Sequence, residues 1–240
     1  MKKLDHNIEA YSKDNAYFKE NYYSQRWFAN KLIVSSSKDK SKVLDLGIGL
    51  GIITYLLSEY FENYSVIDAD RGIIEDYKKK YPKSKANIIQ SFFEDYECAE
   101  KYDLIIMNNI LEHLSDPILV LKKYAQYLND GGRIAIAVPN AESIHRRLGI
   151  YMGTLNDIKM FSEMDVALGH KRYYTVDTIK YDINKSGLVI QKIEGIYFKP
   201  FTTKQIDSLC LTENVYDALF KLGALYPELC NSLYIECIKK

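Results

Sequence analysis

The sequence has few cysteines, few turn-forming residues and no long uncharged hydrophobic stretch. Its 4 cysteines lie far apart without a C-x-x-C pair, which fits neither a disulfide framework nor a zinc ribbon. Only 12 glycines and 5 prolines occur among 240 residues, too few for a collagen-like or low-complexity chain. The longest stretch without Asp, Glu, Lys or Arg is Leu46–Ser58, with 13 residues, whereas a membrane-spanning helix needs roughly 20 apolar ones. We therefore expect a globular protein without a membrane span.

The chain also has no excess of charge of either sign. It contains 32 Lys and Arg residues and 32 Asp and Glu residues, so its formal net charge is zero. A nucleic-acid partner is disfavoured, because affinity for phosphate backbones comes largely from clustered cationic side chains. Residues 1–6 are followed by a more polar segment, without the apolar core of a secretory signal peptide. The expected location is the cytoplasm.

Short runs of β-branched and aliphatic residues alternate with segments of helical periodicity. The predicted strands are Lys42–Leu46, Tyr64–Asp68, Ala86–Gln90, Tyr102–Met107, Arg133–Val138, Leu188–Phe198 and Ser232–Ile238. Such alternation is typical of a parallel sheet wrapped by helices. We predict an α/β fold, a Rossmann-like seven-stranded mixed sheet with helices on both faces and a reversed last strand.

The helix before the fifth strand carries signals for both of its ends. Asp116 precedes Pro117, an N-cap followed by a residue suited to the first helical position. The tripeptide Asp130-Gly131-Gly132 predicts the end of this helix, because glycine favours the conformation that terminates helices.

We predict one domain over residues 1–240. A helical lead (1–40) precedes a cofactor-binding core (41–140), and two insertions (141–174 and 199–230) interrupt the later alternation. Long connections in a compact domain often serve a site, so we expect the insertions to cover the substrate. The aromatic-rich lead is predicted either to dock on the sheet domain or to close over the site.

A glycine-rich turn joins the first predicted strand to a helix. The segment Val43–Gly51 ends in G-x-G-x-G, where glycines allow a sharp turn and close approach of a ligand to the backbone. Asp68 ends the second strand, 21 residues after Gly47, where an acid can accept both hydroxyls of a ribose. Ile52 occupies the place of the third glycine of a dinucleotide fold, which disfavours NAD. The pattern predicts a ligand containing adenosine.

These residues resemble the first motif of class I S-adenosylmethionine-dependent methyltransferases, apolar-Asp-apolar-G-x-G-x-G. The resemblance covers Lys42–Asn140 and continues more weakly to Phe198. Leu111–Pro117 is similar to the E-H-x-x-D-P stretch of small-molecule methyltransferases, including the ubiquinone-biosynthesis branch. The resemblance implies S-adenosylmethionine as the cofactor, with S-adenosylhomocysteine as its product.

The resemblance also implies where the cofactor is bound. The glycines would lie along its methionine part, Asp68 would hold the ribose, and the residues after the third strand would border the adenine. The implied cofactor contacts are Asp45, Gly47, Gly49, Gly51, Asp68, Ala69, Ser91, Phe92, Asn108 at the methyl-transfer side, and Tyr11 in the lead.

Methyl transfer from a sulfonium is an in-line displacement, which requires alignment, exclusion of water and, for a hydroxyl acceptor, a base. Histidine suits that role near neutral pH. We predict His170, in a G-H-x-R-x-Y stretch, and His145 as catalytic residues, with loop fixation by hydrogen bonds as the alternative for His170. The predicted substrate contacts are His113, Arg146, Arg172 and Tyr173, where the arginines would suit phosphate or carboxylate groups and would otherwise form surface salt bridges.

A metal ion is not expected from the sequence. Glu112 and His113 are adjacent, and on a helix their side chains would point about 100° apart. Some ubiquinone-biosynthesis methyltransferases that the chain resembles bind a divalent metal through this pair and an acid three positions earlier. Asn109, a weaker ligand, stands at that position here.

The predicted function is S-adenosylmethionine-dependent methylation of a small molecule, namely O-methylation of a hydroxyl on a sugar, a glycan precursor or a metabolite. Alternatives within transfer chemistry are N-methylation and methylation of RNA or protein. Alternatives of another class are a nucleotide-binding module without chemistry and an NAD-dependent oxidoreductase or epimerase.

Overall fold

The computed structural model describes residues 16–38 and 41–240. Tyr11 lies outside the described residues. The strands are β1 (Lys42–Leu46), β2 (Asn63–Asp68), β3 (Asn87–Gln90), β4 (Tyr102–Asn108), β5 (Leu128–Pro139), β6 (Leu188–Ile196) and β7 (Ser232–Lys239). The helices are α1 (Ala16–Val34), α2 (Ile52–Tyr60), α3 (Arg71–Lys80), α4 (Pro117–Ala125), α5 (Ile144–Tyr151), α6 (Glu163–Ala167), α7 (Val176–Lys185), α8 (Thr203–Ser208) and α9 (Glu213–Gly223).

The strands form one seven-stranded sheet in the order β3-β2-β1-β4-β5-β7-β6. The five strands from β1 to β5 pair in parallel. Strand β7 runs antiparallel to both of its neighbours, β5 and β6. The predicted mixed α/β sheet with a reversed last strand is confirmed.

The predicted start of α4 is correct and its predicted end is wrong. The Asp116 side chain accepts a hydrogen bond from the Leu119 amide, and Pro117 is the first helical residue. The helix ends at Ala125, before Gly131 and Gly132, which lie inside β5. These glycines lie where the register of the β4–β5 pairing shifts, between the pairs Tyr102–Leu128 and Leu104–Arg133, and Gly131 has a positive φ of 77°.

Helices cover both faces of the sheet and enclose two hydrophobic cores. One core packs α4 and α7 onto the sheet through Leu121, Tyr124, Ile179 and Ile183. The other packs α1, α2, α3 and α9 onto the opposite face through Phe28, Leu32, Leu57, Ile74 and Phe220. This arrangement leaves the carboxyl ends of the parallel strands to be covered by the loops and insertions. Among the described residues, no helix is both long and apolar enough to cross a membrane.

The described part of the lead is joined to the second insertion. Tyr23 of α1 stacks on Tyr216 of α9, with ring centroids 4.7 Å apart. Lys199 Nζ donates hydrogen bonds to Glu20 of α1 and to Thr203 of α8, each over 2.7 Å. This ion pair is buried, so α1 and α8 are held together by charge as well as by packing.

Candidate active site

The predicted cofactor residues meet at one edge of the sheet. Gly47 follows β1, Asp68 ends β2, Ser91 follows β3 and Asn108 ends β4. Because these strands are parallel, their carboxyl ends lie side by side, which is where open α/β sheets bind their ligands.

The three glycines after β1 have positive φ angles, 86° at Gly47, 51° at Gly49 and 75° at Gly51. L-residues other than Asn and Asp seldom adopt this conformation. A Cβ atom at Gly47 would lie 2.8 Å from the Ile110 side chain, and one at Gly51 would lie 2.6 Å from the Tyr77 ring. A Cβ at Gly49 would meet no atom within 4 Å. The Tyr77 ring therefore leaves no space for a side chain at Gly51, the flexible end of Ile110 would have to move for one at Gly47, and Gly49 borders open space.

Asp68 links the glycine turn to the end of β2. Its carboxylate accepts hydrogen bonds from the backbone amides of Ile48 and Asp70, each over 2.9 Å. Its backbone carbonyl accepts a hydrogen bond from the Ser91 amide over 3.1 Å. Ala69 follows directly, and Phe92 on the neighbouring loop is 49% exposed, so its ring is available to a ligand. The Asp68 carboxylate is therefore held in place beside the loops implied to bind ribose and adenine.

Asp45 lies inside the protein below the glycine turn. Its carboxylate accepts a hydrogen bond from the Tyr64 hydroxyl of β2, and the residue is fully buried. Burial raises the pKa of Asp45 to about 7. The structure thus shows the Asp45 side chain in contact with β2. The resemblance implies a contact with the cofactor.

A polar pocket opens beside the end of β4. Its sheet side is formed by Asn108, Asn109, Ala137, Ile196 and Ser232, and its other wall by Asn21, Ser24 and Gln25 of α1. Asn109 has a φ of 54°, a left-handed conformation that asparagine tolerates better than most residues. The three α1 residues were missed in the sequence, although their i, i+3, i+4 spacing places them on one helical face.

Two predicted substrate contacts, Arg172 and Arg146, have hydrogen-bond partners within the protein. The Arg172 guanidinium donates to the carbonyls of Leu111, Leu114 and Ser115 over 2.9, 2.6 and 3.2 Å. Buried carbonyls need such donors, and arginine can serve several of them at once.

Arg146 has a similar environment. Its guanidinium donates to the carbonyls of Ile158 and Met160 and to the Tyr173 hydroxyl. The contacts that the structure shows for both arginines are therefore within the protein, where the sequence predicted acceptor binding.

His113 and His170 lie together, with ring centroids 4.8 Å apart. Nδ1 of His170 is 3.0 Å from a carboxylate oxygen of Asp165. Asp165 also accepts hydrogen bonds from Ser162 and from the Tyr173 hydroxyl. Burial alone would raise the pKa of Asp165, but these hydrogen bonds hold it well below its usual value. Asp165 was missed in the sequence, where only its place in a Ser-x-x-Asp capping box could have marked it.

Glu112 completes this cluster, contrary to the prediction that it and His113 would diverge. Residues 111–113 form a turn, not a helix, so the 100° separation does not apply. The ligand atoms of Glu112, His113 and His170 lie within 4.8 Å of one another. Burial raises the pKa of Glu112 to about 7 and lowers that of His113 to about 4.

His145 lies in the first turn of α5, and the cluster found among the described residues does not include it. Its Nδ1 atom is buried and has no hydrogen-bond partner in the described part of the chain. Burial, together with the positive charges of Lys199 and Arg146, lowers the pKa of His145 to about 3. The two histidines predicted to be catalytic thus have different surroundings.

Residues 18–193 match the protein family described as "Methyltransferase domain". The chain belongs to this methyltransferase family. It is 26% identical over 177 residues to malonyl-[acyl-carrier protein] O-methyltransferase 1 of Ilyobacter polytropus, covering 72% of this chain and 66% of that protein. It is 26% identical over 165 residues to the ubiquinone biosynthesis O-methyltransferase of Vibrio vulnificus, covering 67% of this chain and 69% of that protein. The methyltransferase therefore spans about two thirds of the length of these relatives.

The methyltransferase fold is also seen in solved structures of low sequence identity. The Synechocystis magnesium protoporphyrin IX methyltransferase with bound SAH superposes with a TM-score of 0.65 at 12% identity, over 97% of this chain and 92% of that one. A plantazolicin methyltransferase superposes with a TM-score of 0.60 at 19% identity, over 97% and 94%. Family and fold confirm a class I S-adenosylmethionine-dependent methyltransferase, and with it S-adenosylmethionine as the cofactor.

Proposed function

We propose that this methyltransferase O-methylates a hydroxyl group of a small molecule, namely a sugar, a glycan precursor or another metabolite. The observation that carries the proposal is the polar pocket at the end of β4, the strand that pairs with β1. It is lined by amide and hydroxyl side chains from α1, β4 and β7, including Gln25, Asn109 and Ser232. Such groups form hydrogen bonds with a neutral hydroxylated ligand without requiring it to carry a charge.

The reaction moves the methyl group from the cofactor sulfur to the acceptor oxygen. The carbon–oxygen bond forms as the carbon–sulfur bond breaks, the hydroxyl proton leaves, and the products are a methyl ether and S-adenosylhomocysteine. The protein contributes alignment and exclusion of water. Asp68 and the turn from Gly47 to Gly51 orient the cofactor, while α1 and the first insertion enclose the acceptor.

Two observations support an oxygen acceptor, the names of two relatives and the position of two histidines. The relatives from Ilyobacter polytropus and Vibrio vulnificus are both named O-methyltransferases. His145 and His170 lie on the first insertion, where a histidine can contact an acceptor hydroxyl and its proton. The balanced charge of the chain favours a small molecule over a nucleic acid.

Calorimetric titration with S-adenosylhomocysteine tests the cofactor half of the proposal. We expect saturable binding by the wild type and a loss of roughly 100-fold in affinity in Asp68→Ala, because two ribose hydroxyls lose a charged acceptor. Asp76→Ala, on the exposed side of α3, is the matched control and should bind as the wild type does. Absence of saturable binding at high micromolar cofactor would refute the proposal.

Turnover assays test the proposed class of acceptor. Formation of S-adenosylhomocysteine should be followed with matched neutral sugars, phosphorylated sugars and amines as acceptors. Turnover confined to hydroxyl acceptors supports O-methylation, whereas turnover confined to amines would replace it by N-methylation. Unchanged turnover in both His145→Ala and His170→Ala would show that neither histidine is needed for proton removal.

A further inference from the structure

The cluster of Glu112, His113 and His170 is assembled from two segments that are firmly tied to each other. The Lys171 amide donates to the Glu112 carbonyl over 2.9 Å, and the Arg172 guanidinium donates to the carbonyls on either side of the pair, at Leu111 and Leu114. The turn after β4 and the end of the first insertion therefore hold the three side chains in a fixed relationship.

Glu112 is the unexplained member of this cluster. The residue is 0% exposed, and neither of its carboxylate oxygens has a hydrogen-bond partner within the described ranges 16–38 and 41–240. A buried carboxylate without donors is costly, and native proteins pair such groups or use them as ligands. The orphaned oxygens therefore indicate a positively charged partner that binds between Glu112 and the two imidazoles.

Each histidine has a polar neighbour of the kind that is found beside metal ligands. Nδ1 of His170 faces the Asp165 carboxylate at 3.0 Å, which leaves Nε2 to coordinate. The backbone of Leu168 and Gly169 lies beside the His113 ring and acts to raise its pKa, against the larger effect of burial. Metal-ligating histidines usually donate their other ring N–H to a carboxylate or a carbonyl, which fixes the tautomer and the ring orientation.

We propose that Glu112, His113 and His170 bind a first-row transition-metal dication such as Zn²⁺, Fe²⁺ or Co²⁺. Two imidazoles and one carboxylate are ligands that these ions prefer, whereas Mg²⁺ and Ca²⁺ require mainly oxygen ligands. The third ligand comes from the first insertion, and Asn109 is not needed as a substitute for an acid. Three protein ligands leave coordination positions open, at which such an ion acts as a Lewis acid toward an oxygen ligand.

Metal binding is tested without cofactor or acceptor, so its outcome is independent of the proposed O-methylation. Chelator-treated wild-type protein is titrated with Co²⁺, and the visible absorption of the bound ion is followed. We expect one saturable site per chain, from which Zn²⁺ displaces Co²⁺ and millimolar Mg²⁺ does not. Displacement by Mg²⁺ at concentrations similar to those of Zn²⁺ would contradict the proposed ligand set.

Variants identify the ligands. Glu112→Gln and His170→Ala should each lower Co²⁺ affinity at least about tenfold and change the absorption spectrum, because each removes a ligand. Asp165→Asn should weaken binding by about 10-fold to 100-fold through the orientation of His170. His145→Ala removes a histidine outside the cluster and is expected to leave Co²⁺ binding unchanged.

Folding is monitored by near-ultraviolet circular dichroism of every metal-free variant. If Glu112→Gln does not fold, the Co²⁺ affinity of His170→Ala and the Co²⁺ stoichiometry of the wild type still test whether the cluster binds the metal. A wild type without a saturable Co²⁺ site overturns the proposal, as does Co²⁺ binding that persists unchanged in folded His170→Ala.

Discussion

The carboxyl edge of the sheet has two halves that are built in different ways. The cofactor half comprises the loops after β1, β2 and β3, and the acceptor half comprises the turn after β4 and the first insertion. The cofactor half is held by contacts between neighbouring elements, such as the Ile48 amide and the Asp68 carboxylate, 20 residues apart. In the acceptor half, Arg172 holds carbonyls of Leu111 and Leu114 that lie 61 and 58 residues away. The half that the resemblance assigns to the cofactor is thus built from a local motif, whereas the half that we propose binds the acceptor depends on tertiary packing.

The two halves also differ in how their buried charges are paired. In the cofactor half, the buried carboxylates of Asp45 and Asp68 both accept hydrogen bonds. The acceptor half contains Arg146 and Asp165, which are also hydrogen-bonded, and Glu112, whose buried carboxylate has no hydrogen-bond partner among the described residues. Buried charged groups are destabilising when their partners are removed. We therefore expect substitutions of the turn glycines to act through backbone conformation, and substitutions in the acceptor half to act through polar groups left without partners.

The largest effect is expected in the cofactor half, for Gly51→Val. The new side chain would clash with the Tyr77 ring, 2.6 Å from the Cβ position, and would force valine into a φ of 75°. The free energy of unfolding should fall by roughly 3–5 kcal/mol, as measured by urea denaturation. Gly49→Ala is the control, because its Cβ meets no neighbour and only the φ cost of about 1 kcal/mol remains. Equal losses in the two variants would show that packing at Gly51 is not the cause.

The next largest effect is expected for Arg172→Ala, which should lower stability without affecting the cofactor half. Three carbonyls lose their donor, so unfolding should become easier by about 2–3 kcal/mol. The affinity for S-adenosylhomocysteine should stay within about threefold of the wild type, since the cofactor half is not touched. Arg147→Ala is the control, because this more exposed side chain contacts Glu142 alone within the part of the chain that the structure describes. Unchanged stability with a raised KM for the acceptor would restore the predicted acceptor contact for Arg172.

The same division explains what the sequence predicts well. The positions of the strands of the cofactor half, the glycine turn and the place of Asp68 at the end of a strand follow from periodicity and from motif spacing, because these signals lie close together in the chain. The helix start at Asp116 was predicted for the same reason, since the cap bonds to the amide three residues on.

Long-range pairing accounts for what the sequence does not predict. Gly131 and Gly132 resemble a helix end, and only the pairing of β5 with β4 places them at a register shift inside a strand. Glu112 and His113 were placed on a helix, where they would diverge, but the chain turns there and brings them to His170. Asp165 is the exception, because a local turn brings it beside His170: the His170 amide donates to the Asp165 carbonyl over 2.9 Å, but no sequence signal marks this turn as part of a site.

A smaller effect is expected for Asp45→Asn, which tests whether the buried carboxyl group below the glycine turn is protonated in the folded protein. Burial raises the pKa of Asp45 from its usual 3.8 to about 7. Between these values the folded protein keeps a proton that the unfolded chain has lost, so rising pH favours unfolding. The wild type should lose about 2 kcal/mol between pH 5 and pH 7 relative to Asp45→Asn, in which the Tyr64 hydroxyl keeps an acceptor. If the free energies of unfolding of the wild type and Asp45→Asn differed by the same amount from pH 5 to pH 7, Asp45 would be ionised in the folded state.

The smallest effect compares two helix starts on the acceptor side. The Thr175 side chain accepts a hydrogen bond from the Thr178 amide at the start of α7, so Thr175→Ala should cost about 1 kcal/mol. Ser143 precedes α5 in the same way, but its hydroxyl is buried and makes no hydrogen bond to any residue described. Ser143→Ala should therefore be neutral or slightly stabilising, because it removes an unsatisfied polar group. Thermal unfolding of both variants, with Thr175→Ser as the variant that keeps the cap, decides the comparison. A loss of about 1 kcal/mol in Ser143→Ala as well would mean that its hydroxyl does cap α5, and that the start of the first insertion is secured as locally as the helix that follows it.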